Sequence, residues 1–364
     1  MGGCDVIVHV HGAVSARQRI QAYKKAVIIA IVETLEFRFV RFTMKYPSLT
    51  VLLCQLALPI ASAADTMKAI VIVDGKPQME TVVKPEPRSG QVRIEVRAVS
   101  VNPVDWKIAA HAPAEGHVIA GRDLAGVIDS VGPSAGQWRP GDKVIAVASG
   151  GSYAQYVLAA ANAVAVKPTH MSFVEAAGIP IVGETAWRSL VVVANLQPGQ
   201  RVLIHGGAGG VGSSAVQVAK ARGAYVVATA SPSHTAWLRF LGADEVIDYH
   251  SVRFEDKVSN MDVVLNTVDA ETNSRSIAVI KPGGILVSVV GPPPADACKV
   301  ARIRCAIPGP VSGAMLGFLS DLANQGKFHI EIERRFQLAD AAEAWEVSRE
   351  GHTAGKIILE VSPR

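Results

Sequence analysis

The sequence predicts an α/β chain in which a β-rich domain is interrupted by a doubly wound parallel-sheet domain and resumes at the C-terminus. Three observations carry that expectation. Short β-branched runs bounded by Gly, Pro and Asp follow one another closely from Met67 to Ala148, the spacing of an all-β unit. After Pro168 such runs alternate with stretches of helical spacing, and parallel strands need crossovers of that kind. From Met315 to Val361 the tail returns to a helix-then-strand pattern.

Taken in order, strands are expected at 67–73 (MKAIVIV), 91–101 (QVRIEVRAVSV), 124–132 (LAGVIDSVG) and 143–148 (KVIAVA), with turns at 84–91 and 134–142. Between 172 and 194, Ala, Leu and Val recur at helical spacing, and Ser172 with Glu175 has the capping-box spacing. There follow a strand at 201–206 (RVLIHG), a helix from Val211 to Arg222, a strand at 224–230, a helix through 235–243, strands at 245–249 and 261–268, a helix through 275–280 and a strand at 284–291. The tail supplies helical stretches at 315–326 and 336–351 and a last strand at 355–361. The expected division is a leader 1–66, a β-rich domain 67–170, the inserted domain 171–312 and the return 313–364.

A chain of 364 residues, 49% hydrophobic and 19% charged, is long enough for two domains with a large core. The net charge is +4, of which residues 1–66 supply seven Lys/Arg less four Asp/Glu, or +3, leaving +1 for the rest. No basic surface is implied, and nucleic acid is not an expected partner. The cysteines Cys4, Cys54, Cys298 and Cys305 show neither a disulfide framework nor zinc spacing. Cys298 and Cys305 are expected as unpaired small hydrophobes.

In the leader, one lysine precedes an apolar run, Leu49 to Ile60, and then Ala61-Ser62-Ala63. That is the form of a secretory signal with a small-x-small cleavage site, too short for a membrane span of ~20 residues. Export, as to a periplasm, is expected; a true start at Met67 would instead leave a cytoplasmic protein.

Five glycines fall within Gly206–Gly212 of HGGAGGVG, after the run RVLI and before helix-forming residues. Gly207, Gly209 and Gly212 satisfy GxGxxG: the first for a tight turn, the second for approach to a pyrophosphate, the third for helix packing. Ala208, Gly210 and Val211 complete the loop, and the helix start offers free N–H groups to phosphates. An NAD site usually carries an acid about 20 residues on, yet no Asp or Glu occurs from Ala224 to Ala243. Ser231, Ser233 and His234 can instead donate hydrogen bonds to a 2′-phosphate, so NADP(H) is the expected cofactor.

The run 199–220, GQRVLIHGGAGGVGSSAVQVAK, closely resembles the signature of the zinc-free quinone oxidoreductases, the zeta-crystallin-like branch of the medium-chain dehydrogenase/reductases. Segments 99–108 (VSVNPVDWKI), 120–146, 153–168 and 352–361 (HTAGKIILEV) extend the resemblance over essentially all of 67–362. It implies a GroES-like β domain with an inserted Rossmann-type domain. It also implies that Ser231, His234 and Tyr249 hold the 2′-phosphate, that Thr185 contacts the cofactor, and that Ser288 and Val289 end the strand beneath the nicotinamide. Zinc-dependent cousins carry GHE where this chain reads GRD at 121–123, and no Cys occurs from 55 to 297. No metal site is therefore expected. Without that Lewis acid, hydride delivery to an activated acceptor replaces alcohol oxidation.

On the substrate side, Asn102, Asp105 and Lys107 of NPVDWK and Tyr153 are the candidate catalytic residues, with Tyr156 beyond. Asn102 would orient the acceptor carbonyl. Asp105 and Lys107 would form either a structural salt bridge or catalytic groups, and Tyr153 would either pack or donate a proton. The expected activity is NADPH-dependent quinone reduction by a homodimer acting on a small molecule. Alternatives are an alkenal or enone reductase (the EC 1.3.1 rather than the 1.6.5 type) and an NADPH-binding protein without useful turnover.

Overall fold

The structure, a computed structural model, describes residues 65–111, 118–351 and 353–361. The signal-like segment 44–63 lies outside the described residues.

The first strands build a β unit. β1 (Thr66–Val73) and β2 (Lys76–Val83) form a hairpin, and β3 (Gln91–Val101) leads into a short helix, Pro103–Ala109. Next come β4 (Val118–Ile119), β5 (Asp123–Val131), β6 (Lys143–Val147), β7 (Tyr156–Ala160) and β8 (Val164–Val166). β3 is the hub: its buried residues alternate as a half-buried strand requires, and it pairs antiparallel with both β5 and β7.

The expected helical stretch 172–194 is three pieces: helix Phe173–Ala177, helix Pro180–Trp187 and a π-helical stretch 188–193. Ser172 and Glu175 do form the capping box. Pro180 lacks the N–H that a continuous helix would need and starts the next helix instead.

β9 (Arg201–Ile204), helix Gly210–Ala221, β10 (Tyr225–Ala230), helix Thr235–Phe240, β11 (Glu245–Asp248) and β12 (Met261–Asn266) follow in alternation. Helix Ala270–Ser276, β13 (Ile280–Ser288), helix Ala295–Val300 and β14 (Arg304–Ala306) complete the unit. The sheet is wholly parallel in the order β11-β10-β9-β12-β13-β14. Numbered within the unit this is 3-2-1-4-5-6, the doubly wound order, which reverses beside β9, between it and β12. Here the helix expected through 275–280 sits earlier, because Asp269 caps it by accepting from the Thr272 N–H and β13 already begins at Ile280.

Cys298 and Cys305 are joined by a disulfide, with Cα atoms 6.3 Å apart, which corrects the expectation of unpaired thiols. Arg302 takes a left-handed conformation (φ 56°) and the Ile303 N–H donates to the Cys298 carbonyl. That turn folds the chain from the helix end back onto β14, a conformation that the spacing of the cysteines did not disclose.

Helix Leu316–Asn324 leads to β15 (Ile332–Gln337), helix Ala341–Glu350 and β16 (Lys356–Glu360). Phe336 and Gln337 belong to a strand, not to the helical stretch expected from 336, because β15 pairs in parallel with β16. β16 in turn pairs antiparallel with β3, which returns the tail to the seven-stranded β-rich sheet. Fully buried Trp345 packs the last helix into the core of that sheet.

Candidate active site

The loop after β9 sits at the reversal of strand order, at the carboxyl ends of the strands, where open α/β sheets bind ligands. Gly206 makes the turn with φ 68°, one residue earlier than the motif alone places it. At Gly207 it is space that excludes a side chain: a Cβ there would stand 2.9 Å from the Ala228 methyl. A Cβ on Gly212 would approach the Gly206 carbonyl oxygen to 2.1 Å, so the helix meets the loop at bare backbone. Gly209 is the N-cap of helix Gly210–Ala221, whose first N–H groups receive no side-chain cap. An uncapped helix start behind a glycine cradle fits a pyrophosphate. Ala208 and Val211 are half-buried in the cradle, and the Ala208 carbonyl accepts from Gly355 N–H at 2.9 Å.

His205 braces this loop from below. Its ring is buried; Ser276 Oγ already donates to the Thr272 carbonyl, so Nε2 donates to Ser276 Oγ at 3.1 Å. Nδ1 then accepts from Thr229 Oγ1 at 3.4 Å, and the same Oγ1 accepts from Gly206 N–H. Burial, helped by the Arg275 cation, pushes the imidazole down to about 4. A neutral imidazole suits this donor-acceptor relay.

At the end of β10, Ser231 Oγ lies 3.1 Å from the Tyr249 hydroxyl and 3.4 Å from His250 Nε2. His250 was not singled out from sequence, although it ends the DYH run next to Tyr249. His234 stands in the turn Pro232–His234, half-buried, and joins the group only through its backbone N–H to the Ser231 carbonyl. Thr185 is half-buried on helix Pro180–Trp187, and its carbonyl accepts from Ser189 Oγ. Ser288 Oγ faces the interior, accepting from Asn273 Nδ2 at 3.1 Å, while Val289 N–H donates to the Asn266 carbonyl beyond the end of β13.

The candidates of the NPVDWK turn divide. Asn102 and Asp105 are buried at the start of helix Pro103–Ala109, where Asn102 N–H donates to Asp105 Oδ2 at 2.9 Å. Tyr153 is fully buried, and its hydroxyl donates to the same oxygen at 2.8 Å. Its ring fills the space that a Cβ on Gly121 would need. Lys107 is exposed and lies over the Trp106 ring, 5.3 Å from its centroid; no salt bridge joins it to Asp105. Asn102 is also not placed as expected for orienting an acceptor. Its Oδ1 accepts from Lys356 Nζ at 2.7 Å and its Nδ2 donates to Asp123 Oδ1 at 3.1 Å, so both ends of the amide face protein partners. Tyr156 lies elsewhere, beneath the Lys84 cation at 3.7 Å.

Two further charges complete the cluster: Asp123, accepting also from Ser100 Oγ at 2.7 Å, and Lys356, both buried. Burial first, then the neighbouring Asp123, pushes the Asp105 carboxyl up to about 7. Its Oδ1 has no hydrogen-bond partner, which makes the ionised form costlier still. Burial also raises Asp123 and lowers Lys356. Asp123 sits where zinc-dependent cousins have a ligand segment, yet its oxygens are committed to Ser100, Asn102 and the Ile181 N–H. Among the described residues no three His, Cys, Asp or Glu side chains converge to hold a metal ion. The donor set there does not fit zinc.

Residues 88–169 match the family model described as "Alcohol dehydrogenase GroES-like domain", and 241–359 the model described as "Zinc-binding dehydrogenase". A chloroplastic quinone oxidoreductase of Triphysaria versicolor is 31% identical over 300 residues, 76% of this chain and 91% of its own length. The chain belongs to the quinone oxidoreductase-like branch of the medium-chain dehydrogenase/reductases. The 2-methylene-furan-3-one reductase of Solanum lycopersicum is 32% identical, covering 78% of this chain and 74% of that one. Among solved structures, the quinone oxidoreductase of Coxiella burnetii matches with a TM-score of 0.74 and 32% identity, covering 82% of this chain and 100% of that chain. As a medium-chain dehydrogenase/reductase the chain is an oxidoreductase of nicotinamide chemistry. No helix among the described residues is long and apolar enough to cross a membrane.

Proposed function

We propose that this chain is a zinc-independent, NADPH-dependent oxidoreductase that reduces a quinone. The observation that carries the proposal is the uncapped glycine cradle at the strand-order reversal, followed by a β10 end with hydroxyl and imidazole donors and no acid. The backbone N–H groups of Gly206–Gly212 would hold the pyrophosphate. Ser231, Tyr249 and His250, with His234 from the neighbouring turn, would hold the 2′-phosphate. Thr185, Ser288 and Val289 would flank the nicotinamide. The dinucleotide supplies the hydride; the protein positions donor and acceptor and excludes water, and position alone is worth several orders of magnitude in rate.

Asp105 is the group of the cluster able to keep a proton near neutrality, and the Tyr153 hydroxyl is tied to it. Both are buried, so protons reach the acceptor from solvent or after local opening, and a quinone requires no side-chain acid. An enone acceptor is the second possibility, supported by the relative named for 2-methylene-furan-3-one reduction and by the CurK enoyl reductase, a structural neighbour at 28% identity and TM-score 0.73. Loss of nicotinamide absorbance, measured against a quinone panel and an enal panel, separates the two. If neither panel accelerates NADPH oxidation, both fail.

Export and a homodimer are part of the same proposal. The Cys298–Cys305 disulfide accords with an oxidising compartment. Sequencing the N-terminus of the native protein tests export: a start at Ala64 or Asp65 supports it, and a start at Met67 would sink it.

A further inference from the structure

Two neighbouring residues tie the glycine loop to the turn that carries Asn102. Gly355, at φ 89°, donates its N–H to the Ala208 carbonyl inside the cradle. Lys356 follows as the first residue of β16, and its stem lies along the helix start, with Cδ 2.9 Å from where a Cβ on Gly210 would stand. Its ammonium reaches the neighbouring end of β3 in the same sheet, donating to the Val101 carbonyl at 3.0 Å and to Asn102 Oδ1 at 2.7 Å. Asn102 passes the link to Asp123 through its amide and to Asp105 through its backbone N–H. The distance from loop to turn is thus spanned by one buried side chain.

We propose that Lys356 is a positioning residue: it sets the register of the glycine loop against the Asn102 turn, so that a dinucleotide on the loop faces the acceptor side at reacting distance. This rests on reading the loop as a dinucleotide site. A lysine suits the role because its cation lies beside Asp123 and Asp105 in the same buried cluster, where an unpaired charge would be costly. The charged groups facing it are Asp123 from β5 and Asp105 from helix Pro103–Ala109, the latter holding the Tyr153 hydroxyl on its far side. The phosphates would be held by the cradle's backbone and not by Lys356. Loss of the ammonium should therefore disturb geometry more than affinity, and a misplacement of about 1 Å costs about a hundredfold in rate.

The test uses the full chain with NADPH and the best acceptor of the two panels. In Lys356→Met the dissociation constant for NADPH should stay within about threefold, while kcat falls about thirtyfold, the equivalent of one charge-assisted hydrogen bond. Lys356→Arg should recover part of kcat. An unchanged kcat, an NADPH dissociation constant that rises in step with the loss of kcat, or a loss that Arg does not relieve, would overturn the proposal. Should Lys356→Met not fold, Asn102→Ala breaks the same contact from the other side, and an unchanged kcat there would overturn it equally. Absence of NADPH binding by the wild-type chain would overturn the dinucleotide site itself, and the proposal with it.

Discussion

Replacing Asp105 with Asn keeps the shape of the side chain and removes its titration. The amide oxygen can still accept from Tyr153 and from Asn102 N–H, and the amide nitrogen takes the place of the unpartnered Oδ1. In the native chain the carboxyl rises from 3.8 to about 7 on folding. An acid raised in this way holds a proton that the unfolded chain releases. Its contribution is complete below the ordinary carboxylate range and is lost as pH rises through about 7. Between about pH 5 and about pH 8 the linkage relation gives a loss of roughly 2 to 3 kcal/mol, at about 1.4 kcal/mol per pH unit. His205 acts in the opposite sense: a base lowered from 6.5 to about 4 stabilises above 6.5, and that contribution is lost as pH falls. Comparing Asp105→Asn with wild type at each pH cancels the histidine. Urea midpoints at four pH values, with m-values checked for constancy, give the difference. The variant should gain on wild type by roughly 2 to 3 kcal/mol from about pH 5 to about pH 8. Parallel stability curves would refute the idea that Asp105 keeps its proton in the fold.

Two other outcomes follow from the loop geometry. Gly212→Ala places a methyl carbon 2.1 Å from the Gly206 oxygen; the loop must open, and fluorescence titration should show NADPH affinity falling at least about tenfold. Ser231→Ala with His250→Ala removes two donors from the β10 end, and the NADPH over NADH preference should drop about tenfold or more while NADH affinity holds. An unchanged preference would move the 2′-phosphate elsewhere.

The βαβ alternation and the glycine loop were legible because both are local: hydrophobic rhythm and a run of small residues report on their own neighbourhood. The acid-free end of β10 was equally readable. What stayed hidden is what distant segments do to one another. Lys356 appears in the sequence as one charge before an apolar strand, and only the pairing of β16 with β3 brings it to Asn102, 254 positions away. Asp123 was read for the ligand it replaces, not for its Ser100 and Asn102 partners. Lys107 looked like the natural partner of Asp105 by spacing; two residues apart on a helix they point to different sides, one buried and one exposed. Pro180 and the strand pairing of Phe336 show tertiary and covalent limits overriding helical periodicity.

The central claim is that this fold donates a hydride from a dinucleotide seated on the glycine loop to an activated small-molecule acceptor. A single-turnover experiment tests it directly: wild-type chain saturated with NADPH, no free cofactor, mixed rapidly with excess quinone while nicotinamide absorbance and quinol are followed together. A single exponential loss of one equivalent of NADPH per occupied site, matched by one equivalent of quinol, is expected. Bound NADPH that persists against both the quinone and the enone panels would contradict it.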